Sequence, residues 1–218
     1  MIDYELLEYL EGFITPQRKA RFLKILEDRT NYITVAIEDV YQMHNTSAVI
    51  RSCDVFGIQQ AHLIEGKFGK RLDKHIAMGA QQWVDLNRYN STTDCIETLR
   101  NKGYNIVATT PHGENASLSN FKFEGKTALF FGTEKEGLSK EVLDQADALL
   151  KIPMVGFTES LNISVSAAII LHTLSGQMRK ENVDWKLSEK EKLEIRMDWT
   201  KKSVRSLEDV LGRYYGTK

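Results

Sequence analysis

Very little in this 218-residue chain can cross-link it or hold a metal. It has two cysteines, Cys53 and Cys95, far apart in sequence, and no His/Cys pair has the close spacing of zinc ligands. Reduced thiols and no metal are therefore expected. No apolar run approaches the roughly 20 residues of a membrane span, and an opening that includes Asp3, Glu5 and Glu8 is unlike a signal peptide. The expectation is a soluble, cytoplasmic protein. Positive charge is not in excess either. Lys and Arg number 29 against 30 Asp and Glu, a net charge of −1, so the chain as a whole lacks the basic footprint of a nucleic-acid binder. The glycine patterns of a P-loop and of a dinucleotide fold are both missing, which argues against nucleoside triphosphate or dinucleotide binding by those routes. His44, His62, His75, His112 and His172 stand in no motif that pairs a histidine with a nucleophile. Internal repeats and low-complexity segments are also lacking.

A hydrophobic share of 42% over this length suits the core of one α/β domain with helical additions. Thr15 before Pro16 reads as an N-cap with proline at the first helical position, and Phe22, Leu23 and Leu26 form an apolar helical face. Residues 1–30 are expected to be a helical extension. From Tyr32 onward short β-rich runs follow at 32–37, 61–64, 83–86, 104–108, 128–131 and 148–152, with helical patterns between most of them. That alternation predicts a mostly parallel sheet with helices on both faces over 31–181. The helix predicted from Asn162 to Arg179 carries Val165, Ala167, Ala168, Ile169, Ile170, Leu171 and Leu174, so deep packing is expected. A helical C-terminal extension, 182–218, is signalled by the Ser188/Glu191 capping box. Local basic stretches at both ends, Arg18, Lys19, Arg21, Lys24 and Arg29, then Lys201, Lys202, Arg205 and Arg213, suit phosphate contacts or simply solvated helix faces.

Three constellations can carry chemistry. The first runs from Asn45 through Ala48 and Arg51 to Gly57, just after a strand and hence at the sheet's carboxyl edge, where α/β proteins place ligands. Asn45 suits an N-cap, with Arg51 less than two turns on; a capped helix with a surface arginine would read the same way. In the second, the apolar strand Leu129–Phe131 runs into a loop bounded by Gly132 and Gly137, with Glu134 inside it, and glycines there permit close backbone approach to a ligand. Glu134 is equally suited to an ordinary ion pair. The third, Ile152-Pro153-Met154 to Ser160-Leu161-Asn162 and on to Ser164, Ser166 and Ala168, sends polar side chains into an apolar helix. Each needs a hydrogen-bond partner there, because an unsatisfied buried group costs about 1–3 kcal/mol.

In this order the three segments resemble the motifs of the SpoU family of SPOUT methyltransferases: N-x-x-A-x-x-R, F-G-x-E-x-x-G and I-P-M…S-L-N-x-S-x-A, over about Ile33 to Gly176. With short helical ends and no sizeable extra N-terminal domain, the chain looks most like the TrmH-type tRNA methyltransferases. The loop Phe157-Thr158-Glu159 differs from their Met-Val-Gln-like stretch, and Thr46-Ser47 replaces a more apolar pair. The resemblance implies a deep C-terminal trefoil knot, which general folding rules would never propose. It also implies a homodimer whose active sites draw on both subunits.

The implied reaction is methyl transfer from S-adenosylmethionine to a ribose 2′-hydroxyl of tRNA, at guanosine 18 of the D-loop. By the same resemblance Arg51 is the catalytic residue, and Asn45, Glu134, Ser160 and Asn162 position it and the substrate. Thr109, Gly132, Ile152, Met154 and Leu161 would hold the cofactor, largely through backbone groups, as suits apolar residues and glycine. Ribosomal RNA or the tRNA wobble ribose are alternative targets, and a non-catalytic RNA-binding protein of the same fold is a further reading. The last has no need for Arg51, Glu134 and Asn162 together.

Overall fold

A computed structural model of the chain describes residues 3–40, 42–66, 79–111 and 117–216. His75 and His112 lie outside the described residues. The chain divides into two compact units, Thr30–Trp185 and a second in which Met1–Arg29 joins Lys186–Lys218.

The two chain ends, four helices in all among the described residues, thus form one unit: α1 (Tyr4–Glu11), α2 (Pro16–Leu26), α7 (Glu189–Ser203) and α8 (Leu207–Gly216). Thr15 caps α2 through the Arg18 amide with Pro16 in the first turn, and Ser188 and Glu191 close the capping box of α7. Leu6, Leu10, Val204, Val210 and Tyr214 form the core of this unit. Its best-buried acid, Glu11, is held by Lys19 at 2.5 Å and by Arg196 at 2.5 and 2.7 Å. Burial raises the Glu11 pKa, but the two cations outweigh it and the net shift is downward. Of the basic residues singled out in the sequence, Arg29 is buried and lies over the Trp199 ring, 5.3 Å from its centroid, which removes it from any solvent-facing patch.

The larger unit is a six-stranded parallel sheet made of β1 (Ile33–Glu38), β2 (Gln60–Ile64), β3 (Asp85–Tyr89), β4 (Asn105–Thr109), β5 (Thr127–Phe131) and β6 (Ala148–Leu150). Its strand order is β3-β2-β1-β5-β4-β6. The central strands β1 and β5 are buried at every position and mainly apolar, as parallel strands covered on both faces are, with Thr34, Glu38 and Thr127 the polar exceptions. Between strands lie α3 (Met43–Phe56), α4 (Thr92–Asn101) and α5 (Lys140–Gln145), and α6 (Ile163–Met178) follows β6. One face of the sheet packs with α3 and α6 around Val35, Ile37, Leu129 and Phe131. The other packs with α4 and α5 around Ala36, Ala128, Phe130 and Val142. The expected α/β architecture is therefore present.

Four local expectations need adjustment. Asn45 does not cap α3, since that helix begins two residues earlier and Gln42 is its cap. The third strand starts at Asp85 rather than Trp83, because Trp83 closes a short 3-10 turn over Ala80–Gln82. The sixth strand ends at Leu150, with Lys151 reduced to an isolated bridge with Ser117. Finally, α6 is buried on one side only: Ala167, Ile170, Leu171 and Leu174 face the core, while Val165 and Ile169 are exposed.

Candidate active site

β4, β5 and β6 run in parallel, so their carboxyl ends open on the same edge of the sheet. A cavity of about 360 Å³ lies there, within the size range of small-ligand sites. Thr109, Thr110 and Pro111 line it after β4, the whole stretch from Gly132 to Leu138 after β5, and Leu150, Ile152 and Met154 at and after β6. Glu159, Ser160 and Leu161 complete the wall, with Ile163, Ser166 and Ile170 from the first turns of α6. All five residues expected to hold a cofactor, Thr109, Gly132, Ile152, Met154 and Leu161, are in this lining, together with Glu134 and Ser160.

Local chemistry explains the shape of the wall. The Thr109 hydroxyl donates to the Phe130 carbonyl at 2.7 Å, so that side chain is committed to the sheet and does not project a free donor into the cavity. After β5 the chain doubles back as a small hairpin in which Thr133 and Gly137 exchange backbone hydrogen bonds of 2.9 and 3.0 Å. A Cβ at Gly132 would sit 2.2 Å from the Gly137 carbonyl group and 2.3 Å from the Leu138 nitrogen, closer than any side chain tolerates. Glycine at 132 is thus required for the hairpin to fold back on the strand end. Gly137 takes φ +70°, the left-handed turn conformation that closes it.

At the rim the three sequence motifs meet. Asn45 Nδ2 donates to Glu134 Oε1 at 2.9 Å, and Asn162 Nδ2 donates to the same oxygen and, at 3.3 Å, to Asn45 Oδ1. Asn45 is also fastened to Gln42 Oε1 at 3.0 Å and is buried, whereas Glu134 and Asn162 are exposed. Asn162 Oδ1 accepts from the Ser164 amide at 2.8 Å and hydroxyl at 2.6 Å, which makes it the N-cap of α6. One carboxylate therefore ties α3, the post-β5 loop and α6 together, over 89 residues of separation for Asn45 and 28 for Asn162.

Arg51 is the site residue that does not join them. It is exposed on α3 and is not part of the cavity lining. Six positions beyond Asn45, it is displaced by about 9 Å along the helix axis and turned well away from it around the helix. Ser166, singled out in the sequence only as a polar side chain entering an apolar helix, and Ile170, which sequence reasoning gave no role beyond the core, are four apart on α6 and so share the face that meets the cavity.

The geometry can be set beside known proteins. Residues 32–172 match the model of the SpoU rRNA Methylase family. The tRNA (guanosine(18)-2′-O)-methyltransferase of Borreliella burgdorferi is 42% identical over 197 residues, 90% of each chain. Among solved structures, the Aquifex aeolicus TrmH/SpoU tRNA modifying enzyme superposes with a TM-score of 0.77 at 30% identity, covering 87% of this chain and 98% of that one. The S-adenosylmethionine-bound rRNA methyltransferase of Sinorhizobium meliloti gives 0.59 at 25% identity, covering 72% and 60%. With its motifs gathered around one cavity and its relatives spanning nearly its full length, the chain belongs to the SpoU methylase family.

Proposed function

We propose that this chain transfers a methyl group from S-adenosylmethionine to the ribose 2′-hydroxyl of guanosine 18 in the tRNA D-loop, the reaction in the name of its Borreliella relative. The broader class, an S-adenosylmethionine-dependent RNA 2′-O-methyltransferase, follows from membership of the family. The observation that carries the reading is the convergence of Asn45, Glu134 and Asn162 at the rim of the cavity that Thr109, Gly132, Ile152, Met154 and Leu161 line.

The residues present fit the cofactor. The wall combines apolar side chains such as Ile152, Met154 and Leu161 with the glycine-bounded stretch from Gly132 to Gly137, and the Thr109 hydroxyl is already spent on Phe130. Backbone donors and acceptors in such a wall recognise a nucleoside edge without side-chain help. When bound, the cofactor would supply an electrophilic methyl on a sulfonium. The chain's own contribution is to align the ribose hydroxyl with that methyl and to relieve the hydroxyl of its proton, and alignment can supply much of the barrier lowering. Glu134, held by two asparagine amides, is a fixed acceptor at the rim, and Ser160 lines the same cavity. A guanidinium is a poor base, so the role of Arg51 is to stabilise the developing alkoxide or the adjacent phosphate.

On this reading the working unit is a homodimer, and Arg51 serves the cavity of the partner subunit. Two facts support it. Arg51 is absent from the lining of its own chain's cavity. Val55 on α3 and Val165 and Ile169 on α6, two helices that pack together, are exposed, and Val155 and Phe157 stand fully open to solvent in the loop after Met154. Exposed apolar side chains on adjacent elements are normally covered by a partner. The same reading takes the chain after β5 to be threaded as a trefoil knot, supported by the strand order and by the packing of α6 on α3. The test is methyl transfer to two synthetic tRNAs, one with guanosine 18 intact and one with 2′-deoxyguanosine there. Incorporation into the first and loss in the second is expected; equal incorporation would overturn the assignment of the nucleotide.

A further inference from the structure

Glu38 is the last residue of β1 and is almost wholly buried. Along β1 the side chains alternate between faces, with Val35 and Ile37 toward α3 and α6 and Ala36 toward α4 and α5, so Glu38 also points toward α4 and α5. A carboxylate there needs donors, and it has three. Its Oε1 accepts from the Thr92 hydroxyl at 2.6 Å and the Ser139 hydroxyl at 2.7 Å, and its Oε2 accepts from the Ser139 amide at 2.7 Å. The burial that isolates this group also pushes the Cys95 thiol up to about 12, with the Glu38 charge adding to the effect and Lys102 opposing it.

Ser139 is where the cavity wall ends. The wall leaves the sheet after Phe131, whose β1 partner is Ile37, one residue before Glu38. It lines the cavity through all seven residues from Gly132 to Leu138, then reaches Ser139, the N-cap of α5. The first end of the wall is thus fixed by strand pairing. The far end is fixed by the two hydrogen bonds that Ser139 gives to Glu38, while its hydroxyl also accepts from Val142 N at 3.3 Å. The hydrogen bond from Thr92 to the same carboxylate ties the start of α4 to the same point.

We propose that Glu38 is a positioning residue for cofactor binding: it anchors the far end of the 132–138 wall and thereby sets the shape of the cavity. The role rests on the cofactor reading given above. It acts on binding of the cofactor as a whole and not on the reacting atoms, so the methylated and demethylated forms of the cofactor should respond alike.

The test is calorimetric binding of S-adenosylmethionine and S-adenosylhomocysteine to the full chain, with steady-state kinetics and hydrogen exchange at the Gly137 and Ser139 amides. Glu38→Ala should weaken both ligands by about tenfold or more, with kcat at saturating cofactor within about threefold, and should speed exchange at both amides. Glu38→Gln should stay within about threefold of the wild type, because its amide oxygen still accepts from Ser139 N–H while its NH₂ can donate to the two hydroxyls. Should Glu38→Ala fail to fold, Glu38→Asp keeps the charge but withdraws it by one methylene, and the same binding loss is expected. A folded Glu38→Ala or Glu38→Asp that binds within twofold of wild type, or a Glu38→Gln as weak as Glu38→Ala, overturns the proposal. A wild type that binds neither ligand overturns the cofactor reading instead, and the exchange rate at Ser139 then still decides whether Glu38 is the anchor.

Discussion

Gly132→Ala is the smallest change that reaches the cavity wall directly. The added methyl would lie 2.2 Å from the Gly137 carbonyl group, where ordinary contact begins at 3.4 Å, so the hairpin must move by more than an ångström. The opposing atoms are backbone and cannot swing aside as a side chain would. The cheapest response is to open the hairpin, giving up the Thr133–Gly137 pair of hydrogen bonds at 2.9 and 3.0 Å. At a net value of about 1 kcal/mol each, that is about 2 kcal/mol, or about 30-fold in dissociation constant if binding requires the closed hairpin. Calorimetric titration with S-adenosylmethionine reads the effect. Gly156→Ala is the control, because the nearest atom to its added methyl is 4.0 Å away, and it should bind within about twofold of the wild type. A Gly132→Ala protein with unchanged affinity would refute the assignment of the 132–138 hairpin as a cofactor wall.

Arg51→Ala should abolish methyl transfer while leaving cofactor affinity within about twofold, since its proposed role is toward the alkoxide or phosphate of the substrate and not toward the cofactor; wild-type-like turnover would contradict its catalytic role. Asn162→Ala removes both the α6 cap and one support of Glu134, and should cost about 1 kcal/mol in urea unfolding together with a loss of kcat. Burial, with a smaller push from Lys102, lowers the His62 pKa to about 4. An unfolded chain takes up that proton near pH 6.5 and the folded one does not, so the contribution is complete above pH 6.5 and is lost as pH falls toward 4, roughly 3 kcal/mol in all. Urea midpoints at pH 7, 5.5 and 4.5 should show the decline, and His62→Phe should flatten it.

The parallel sheet was legible because strands covered on both faces are mainly apolar, which is how β1 and β5 read apart from Thr34, Glu38 and Thr127. β3 was harder. Its Asp-Leu-Asn-Arg-Tyr sequence is that of an edge strand, and the apolar pair Trp83-Val84 just before it draws the prediction two residues early. The five cavity residues came from resemblance and not from periodicity, since glycine and isoleucine at strand ends look the same whether or not a ligand sits there. Glu38 could not be read at all: its partners are 54 and 101 residues away, and an acid closing an apolar strand is ordinarily a solvated end. Deep packing of α6 was half right for a comparable reason. Composition counts apolar residues, but it does not say whether Val165 and Ile169 meet the same chain or another.

The most direct test of the central claim is to supply labelled S-adenosylmethionine and unmodified bulk tRNA, digest the product with nuclease, and locate the label by mass spectrometry. The account predicts a single 2′-O-methylguanosine from the D-loop. Label at the wobble ribose, label only on ribosomal RNA offered in parallel, or no transfer to either RNA would contradict it.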